Sequence, residues 1–254
     1  MSKVIDLFSS VHEGKVWKLY SDPFTDFLLL EERNEELREV HFYVYDINDF
    51  SYEEVIPYEE ESWWVGVHDF QYGVCVFHLY QDGIEPIPHG VLVYDFVDED
   101  VLLEDKELQF VSRKEHLFVF ENSEGEKQEI DLLKPKKNSY QKRQHLILEP
   151  RYYNEESKHY QTFVTFLTDR FEVTPVGAIE YIESVNYIII SFNRFVENKL
   201  DNLIFIVDYN GDIQYSAVLM KGTKGIGMGT FFLHNDLLCF VQNKNEFKVV
   251  QLTH

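Results

Sequence analysis

The chain has 254 residues, 44% of them hydrophobic and 16% aromatic, with 21 Phe and 16 Tyr. It is long enough to bury a large core and too apolar for a disordered chain. The formal charge is −22 and unevenly spread: residues 1–133 hold 9 Lys and Arg against 32 Asp and Glu, residues 134–254 hold 14 against 13. So acidic a first half excludes nucleic acid and anionic lipid as partners, because phosphate binding needs clustered cations.

Short apolar runs broken by Asp, Asn, Gly and Glu recur from end to end, and aromatic and β-branched residues fill them, as strands require. VIDLFS (4–9) stands alone. A first unit follows: VWKLYSD (16–22), DFLLLEER (26–33), VHFYVYDI (40–47) and SYEEVI (51–56). The second is WWVGVHDF (63–70), GVCVFHLYQ (73–81), GVLVYDFV (90–97) and DVLLED (100–105), and a shorter third holds LQFVSR, HLFVFEN and QEIDLL within 108–133. The basic stretch KPKKNSYQKR (134–143), with Pro135 and Asn138 in it, reads as an exposed loop.

After HLILEP (145–150) the period changes. Tyr160, Phe163, Val164, Leu167 and Phe171 fall on one helical face, so a helix is predicted near 154–171, with Asn154 as cap and Arg170 in the last turn. Such an insertion bridges two blades or lids one end of a channel. AIEYIES (178–184), NYIIISFN (186–193), NLIFIVDY (202–209) and IQYSAVL (213–219) make a fourth unit, and Asn210-Gly211 marks its hairpin. GTFFLH (229–234), LLCFVQN (237–243) and FKVVQL (247–252) make a fifth.

Third strands end in an Asp followed by a turn: Asp46, Asp95, Asp131 and Asp208, spaced by 49, 36 and 77. Units of four short strands at such a period are the signature of propeller blades. The last unit has three strands, so residues 4–9 are expected to close it and leave no unprotected ends. The reading is one all-β, propeller-like domain over 1–254, of about five blades.

The strings VWKL, ESWWVGVHDFQYGV, AIEYIESVNYIIISF and KGTKGIGMGTFFLHNDLL resemble an uncharacterised bacterial family of propeller-like domains of unknown function, from about residue 14 to residue 250. At a greater distance the chain is similar to quinoprotein-type propeller repeats, whose third strand also ends in Asp. Those repeats carry Thr-Gly and then Trp after the Asp, and here only NGDIQY comes near. The resemblance implies the fold, and no activity or cofactor.

Chemistry is thinly marked. KGTKGIGMGT (221–230) lacks the Lys-Ser/Thr of a phosphate-binding loop and runs into a strand instead of a helix. It reads as a glycine loop in which Lys221 and Lys224 are candidates for a small anion. His68, Asp69, His78 and His89 share one unit, where imidazole and carboxylate suit a metal ion if neighbouring strands bring them together; ordinary strand histidines are the plainer reading. Trp63 and Trp64 face opposite sides if they lie in a strand, one in the core and the other free for a ligand or partner.

Cys75 and Cys239 sit inside apolar strands and read as buried free thiols of a reducing compartment, the cytoplasm. The opening residues hold Asp6 and no long apolar stretch, so neither a secretory signal nor a bilayer span is expected. The function expected is a non-catalytic scaffold that binds a protein or small ligand, with no cofactor. The alternative is an enzyme or cation-dependent binding protein using the central channel through His68, Asp69, Lys224 or His234. A structural subunit of a larger assembly is a third.

Overall fold

The computed structural model describes residues 3–55, 62–80, 88–131, 144–223 and 231–253. The chain divides into two compact units, a terminal unit of residues 1–13 and 146–254 and a middle unit of residues 14–145. Among the described residues the strands form five antiparallel sheets; in four of them neighbours follow chain order, and the fifth is closed by strands from elsewhere in the chain, so the fold is all-β and propeller-like.

In chain order, β1 (Val4–Val11) belongs to the terminal unit. The middle unit then holds three sheets. The first is β2 (Lys15–Ser21), β3 (Phe27–Asn34), β4 (Glu39–Asp46) and β5 (Tyr52–Val55). After a 3₁₀ turn at Ser62–Trp64, the second is β6 (Val65–Gln71), β7 (Val74–Tyr80), β8 (Pro88–Asp95) and β9 (Asp100–Asp105). The third is β10 (Gln109–Lys114), β11 (Leu117–Glu121) and β12 (Lys127–Asp131).

The middle sheet of this unit explains why its apolar runs are continuous. Alternate residues of β7 enter different cores: Cys75, Phe77 and Leu79 pack with Leu29, Phe42 and Val65, while Val74 and Val76 pack with Phe118 and Phe120. A strand covered on both faces needs apolar residues at every position. Burial then holds both thiols above their usual range and unpaired, with Cys75 here and Cys239 in the terminal unit.

The terminal unit continues with β13 (Ile147–Leu148), β14 (Arg151–Tyr153), α1 (Tyr160–Phe171), β15 (Val176–Glu183), β16 (Tyr187–Val196), β17 (Lys199–Asp208), β18 (Ile213–Thr223), β19 (Phe231–His234), β20 (Leu237–Gln242) and β21 (Glu246–Leu252). One sheet runs β14 to β18 in order. The other is β1-β21-β20-β19-β13, so the N-terminal strand does complete the last sheet, Val4 opposite Leu252 and Val11 opposite Glu246.

The helix lies within the range its periodicity pointed to, at Tyr160–Phe171. Tyr160, Phe163, Val164, Leu167 and Phe171 pack on Ile190, Phe192, Leu203 and Phe205, so it covers one face of the β14–β18 sheet. It starts at Tyr160 because Asn154 closes a turn with Ser157 instead of capping: the Ser157 hydroxyl donates to Asn154 Oδ1 at 2.7 Å. At its far end Arg170 donates to the Gly211 carbonyl (3.0 Å) and meets Asp212 (3.0 Å), tying the helix to the β17–β18 hairpin. Only Gly211 of that hairpin's Asn-Gly pair has positive φ, 84°.

Glu172 ends the helix in the left-handed region, φ 57°. Its N–H donates to Thr168 O and that of Val173 to Leu167 O. A Cβ is strained there, so Glu172→Gly is expected to stabilise the chain by about 1 kcal/mol. A urea-unfolding midpoint at or below that of the parent would contradict this.

The repeated Asp is a turn device. Asp46 Oδ1 accepts the Asn48 N–H (2.9 Å), Asp95 Oδ1 that of Val97 (2.9 Å), and Asp208 Oδ1 those of Asn210 (2.9 Å) and Asp212 (3.0 Å). Each replaces a backbone acceptor where its strand ends.

Candidate functional site

Each sheet of the middle unit opens with an edge strand, and each edge strand carries one β-bulge. The pairing skips between Val16 and Lys18 in β2, between Val67 and Asp69 in β6, and between Phe110 and Ser112 in β10. The extra residue falls out of the alternation and turns outward. These residues are Trp17, 63% exposed, His68, exposed, and Val111, 48% exposed.

Trp17 belongs to a larger patch. Arg33, on β3, lies between two indoles, 5.7 Å from the Trp17 ring and 5.4 Å from the Trp63 ring. Its Nε donates to buried Glu31 at 2.6 Å, its Nη1 to Trp63 O at 2.9 Å and its Nη2 to Val65 O at 2.7 Å. The guanidinium therefore stitches the first sheet to the start of β6, using the planar fork that lysine lacks. Glu31, buried, also accepts the hydroxyl of half-buried Tyr20 at 2.9 Å.

Trp63 and Trp64 lie in the 3₁₀ turn that precedes β6, and neither is a core residue: both are half-buried. A second guanidinium, that of Arg38, stands 5.8 Å from the Trp64 ring. Arg38 comes from the β3–β4 turn, which also exposes Leu37 at 64% and is closed by Asn34 Oδ1 accepting the Glu36 and Leu37 N–H groups. The chain has three tryptophans. All three meet here, each faced by an arginine.

The histidine group only half assembles. His68 lies tilted against Phe110 (ring centroids 4.0 Å apart, planes at 46°) and edges onto His78 (5.8 Å). Asp69 is taken by Arg113 at 2.5 Å, and His89 Nδ1 donates to the Lys106 carbonyl at 2.9 Å. His78 is 9% exposed, and both ring nitrogens lack a hydrogen-bond partner among the described residues. Its Nε2 packs on Gly66, where an added Cβ would stand 2.9 Å away. Burial first, then the nearby His68 and Arg33, pulls the His78 pKa down to about 4. Among the described residues, no three His, Cys, Asp or Glu side chains are placed to hold a metal ion.

In the terminal unit Lys221 is exposed near the end of β18, Lys224 lies outside the described residues, and His234 is fully buried in β19. That unit also holds an apolar cleft of about 540 Å³ floored by Leu148, Leu233 and Leu252. Exposed Leu146 and Val185, with Glu183 and Asp236, stand at its margin.

Sequence reading singled out Trp63 and Trp64 but missed Trp17, Arg33 and Arg38, which complete their setting. No sequence signal marks the β2 bulge, whereas the β6 bulge is marked by an apolar spacing of three inside a strand. Val65, Val67 and Phe70 all join one core, and a regular strand cannot turn both Val67 and Phe70 to the same face.

A family model described as Domain of unknown function (DUF4905) matches residues 21–103. No curated protein matches the chain. Among solved structures it is similar to one chain of an S. cerevisiae complex of Dbp5 with Nup159, Gle1, IP6 and ADP, at 10% identity and TM-score 0.31, covering 100% of this chain and 96% of that one. It is also similar to the N-terminal domain of Nup159, at 11% identity and TM-score 0.28, covering 94% and 76%. An oligogalacturonate lyase in complex with manganese matches at 8% identity and TM-score 0.25, covering 100% and 98%. At such low scores no ligand, partner or activity passes from these proteins to this chain.

Proposed function

We propose that this chain is a non-catalytic binding scaffold whose docking surface is the tryptophan–arginine patch of the middle unit. The observation that carries this reading is the convergence of Trp17, Trp63 and Trp64 at one surface, with Arg33 and Arg38 over their rings. Tryptophan and arginine are the residues most enriched at interface hot spots. An indole left 63% exposed beside a Leu 64% exposed is apolar area a partner would cover.

The scaffold is read as one domain, since β1 belongs to the same unit as the C-terminal strands and the middle unit enters as a chain insertion. The cytoplasm suits its two unpaired, buried thiols. Among the described residues no helix is long and apolar enough to cross a membrane.

The test is paired affinity capture from the source organism with the parent chain and a Trp17→Ser, Leu37→Ser double variant. Both residues are exposed, so the variant is expected to unfold within about 1 kcal/mol of the parent. The reading expects proteins held by the parent and released by the variant. Identical captures would sink it.

The terminal unit's cleft favours a second reading, a small apolar ligand. Its volume of about 540 Å³ and its leucine floor fit such a molecule. Stabilisation of the parent against heat by an apolar ligand, abolished by Leu233→Arg, would support that alternative.

A further inference from the structure

Resting on that docking surface, we infer that its occupant is a basic protein segment, one of whose arginines stacks on the exposed Trp17 ring. The Arg33 guanidinium already stands over two indole rings, 5.4 Å from the Trp63 centroid and 5.7 Å from that of Trp17. Arg33 lies over the Trp17 ring, and Trp17 still stays 63% exposed. What its open part accepts is a second cation, because an indole face carries the negative lobe of the ring quadrupole. Guanidinium fits better than ammonium, being planar and more weakly hydrated.

The surrounding charge selects the same partner. Residues 1–133 carry 9 cationic against 32 acidic side chains. Of the cations around the patch, Arg33 is engaged by Glu31 at 2.6 Å and Lys15 by Glu35 at 2.7 Å, while Lys18 lies over the Tyr20 ring and Arg38 over the Trp64 ring. The hairpin turn beside the patch adds exposed Glu35 and Glu36. A basic segment approaching Trp17 therefore meets a net negative field, which speeds encounter and weakens with salt. The β2 bulge supplies the geometry: Trp17 is its extra residue, so it drops out of the alternation and stands out at the edge.

The full chain reports on this surface by itself, since its three tryptophans all lie in the patch. Four short peptides of one design, with Arg, Lys, Gln or Glu at alternate positions between Gly and Leu, are titrated while tryptophan emission is followed. The Arg peptide is expected to give a saturable change, to bind more tightly than the Lys peptide, and to weaken with added salt. Trp17→Leu, checked for a native circular dichroism spectrum, is expected to weaken the Arg peptide about fivefold. A Gln peptide as tight as the Arg peptide overturns the basic occupant and leaves the docking surface standing. An Arg peptide bound equally by Trp17→Leu removes Trp17 from the contact and overturns the inference. Emission unmoved by all four peptides overturns both the inference and the docking surface.

Discussion

Arg33→Met is expected to cost the middle unit roughly 3–5 kcal/mol, the usual penalty for removing one partner of a buried ion pair. The side chains of Arg33 and Glu31 are 14% and 3% exposed, so water cannot replace the lost guanidinium at Glu31. The carbonyls of Trp63 and Val65 lose their donors in the same step, and two indoles lose the cation between them. Arg33→Lys is expected to recover only part, because one ammonium cannot serve Glu31 and two carbonyls in a planar fork. Adding Glu31→Leu to Arg33→Met is expected to restore a large share, since the orphaned charge is then gone. Urea unfolding of the four proteins measures this. A loss under about 1 kcal/mol for Arg33→Met would mean that the pair contributes no more than an exposed ion pair.

Acid should destabilise the chain through His78. Its folded pKa is about 4, while an unfolded histidine titrates near 6.5. Below about pH 6.5 the unfolded chain takes up a proton that the folded chain refuses, so stability falls as pH drops and the loss is complete near pH 4. A depression of this size corresponds to about 3 kcal/mol. His78→Phe keeps a ring against Gly66 and Tyr80 and removes the titration, so its stability should be flatter over that window. Equal slopes for parent and variant would contradict the assignment. His41 works in the opposite sense. Hydrogen bonding to Glu54 and that carboxylate's charge outweigh the desolvation that lowers its pKa, leaving it raised, so its contribution is present below pH 6.5 and lost as pH rises. It is exposed enough for solvent to screen most of that effect.

The strands were legible because they repeat one local rule. DVLLED falls at Asp100–Asp105 to the residue, and the helical face from Tyr160 to Phe171 is the face that packs. Closure of the last sheet by residues 4–9 followed from strand counting, and β1 pairs β21 accordingly. Five sheets answer to the five sequence units.

The patch was harder to read because it depends on register. A bulge is a relation between two strands, and VWKLY alone gives no sign that Lys18 and Val16 face consecutive residues of β3. Arg33 looked like a polar residue at a strand end, since its partners lie thirty and more residues away, at Trp63 and Val65. Trp63 and Trp64 were marked by residue type, while the 3₁₀ turn that presents them precedes the apolar alternation that begins at Val65. Lys224 falls outside the described residues, and Lys221 is exposed in the other unit.

The most direct test of the docking surface is site-specific photo-crosslinking in the source cells, with a photoreactive residue placed at Leu37 in one chain and at Val185 in another. Leu37 borders the tryptophan–arginine patch, and Val185 borders the apolar cleft. The account predicts a discrete crosslink to a basic protein from position 37, lost when Trp17→Ser is added, and none from position 185. A crosslink from position 185 with none from position 37 would contradict it and move the binding site to the terminal unit.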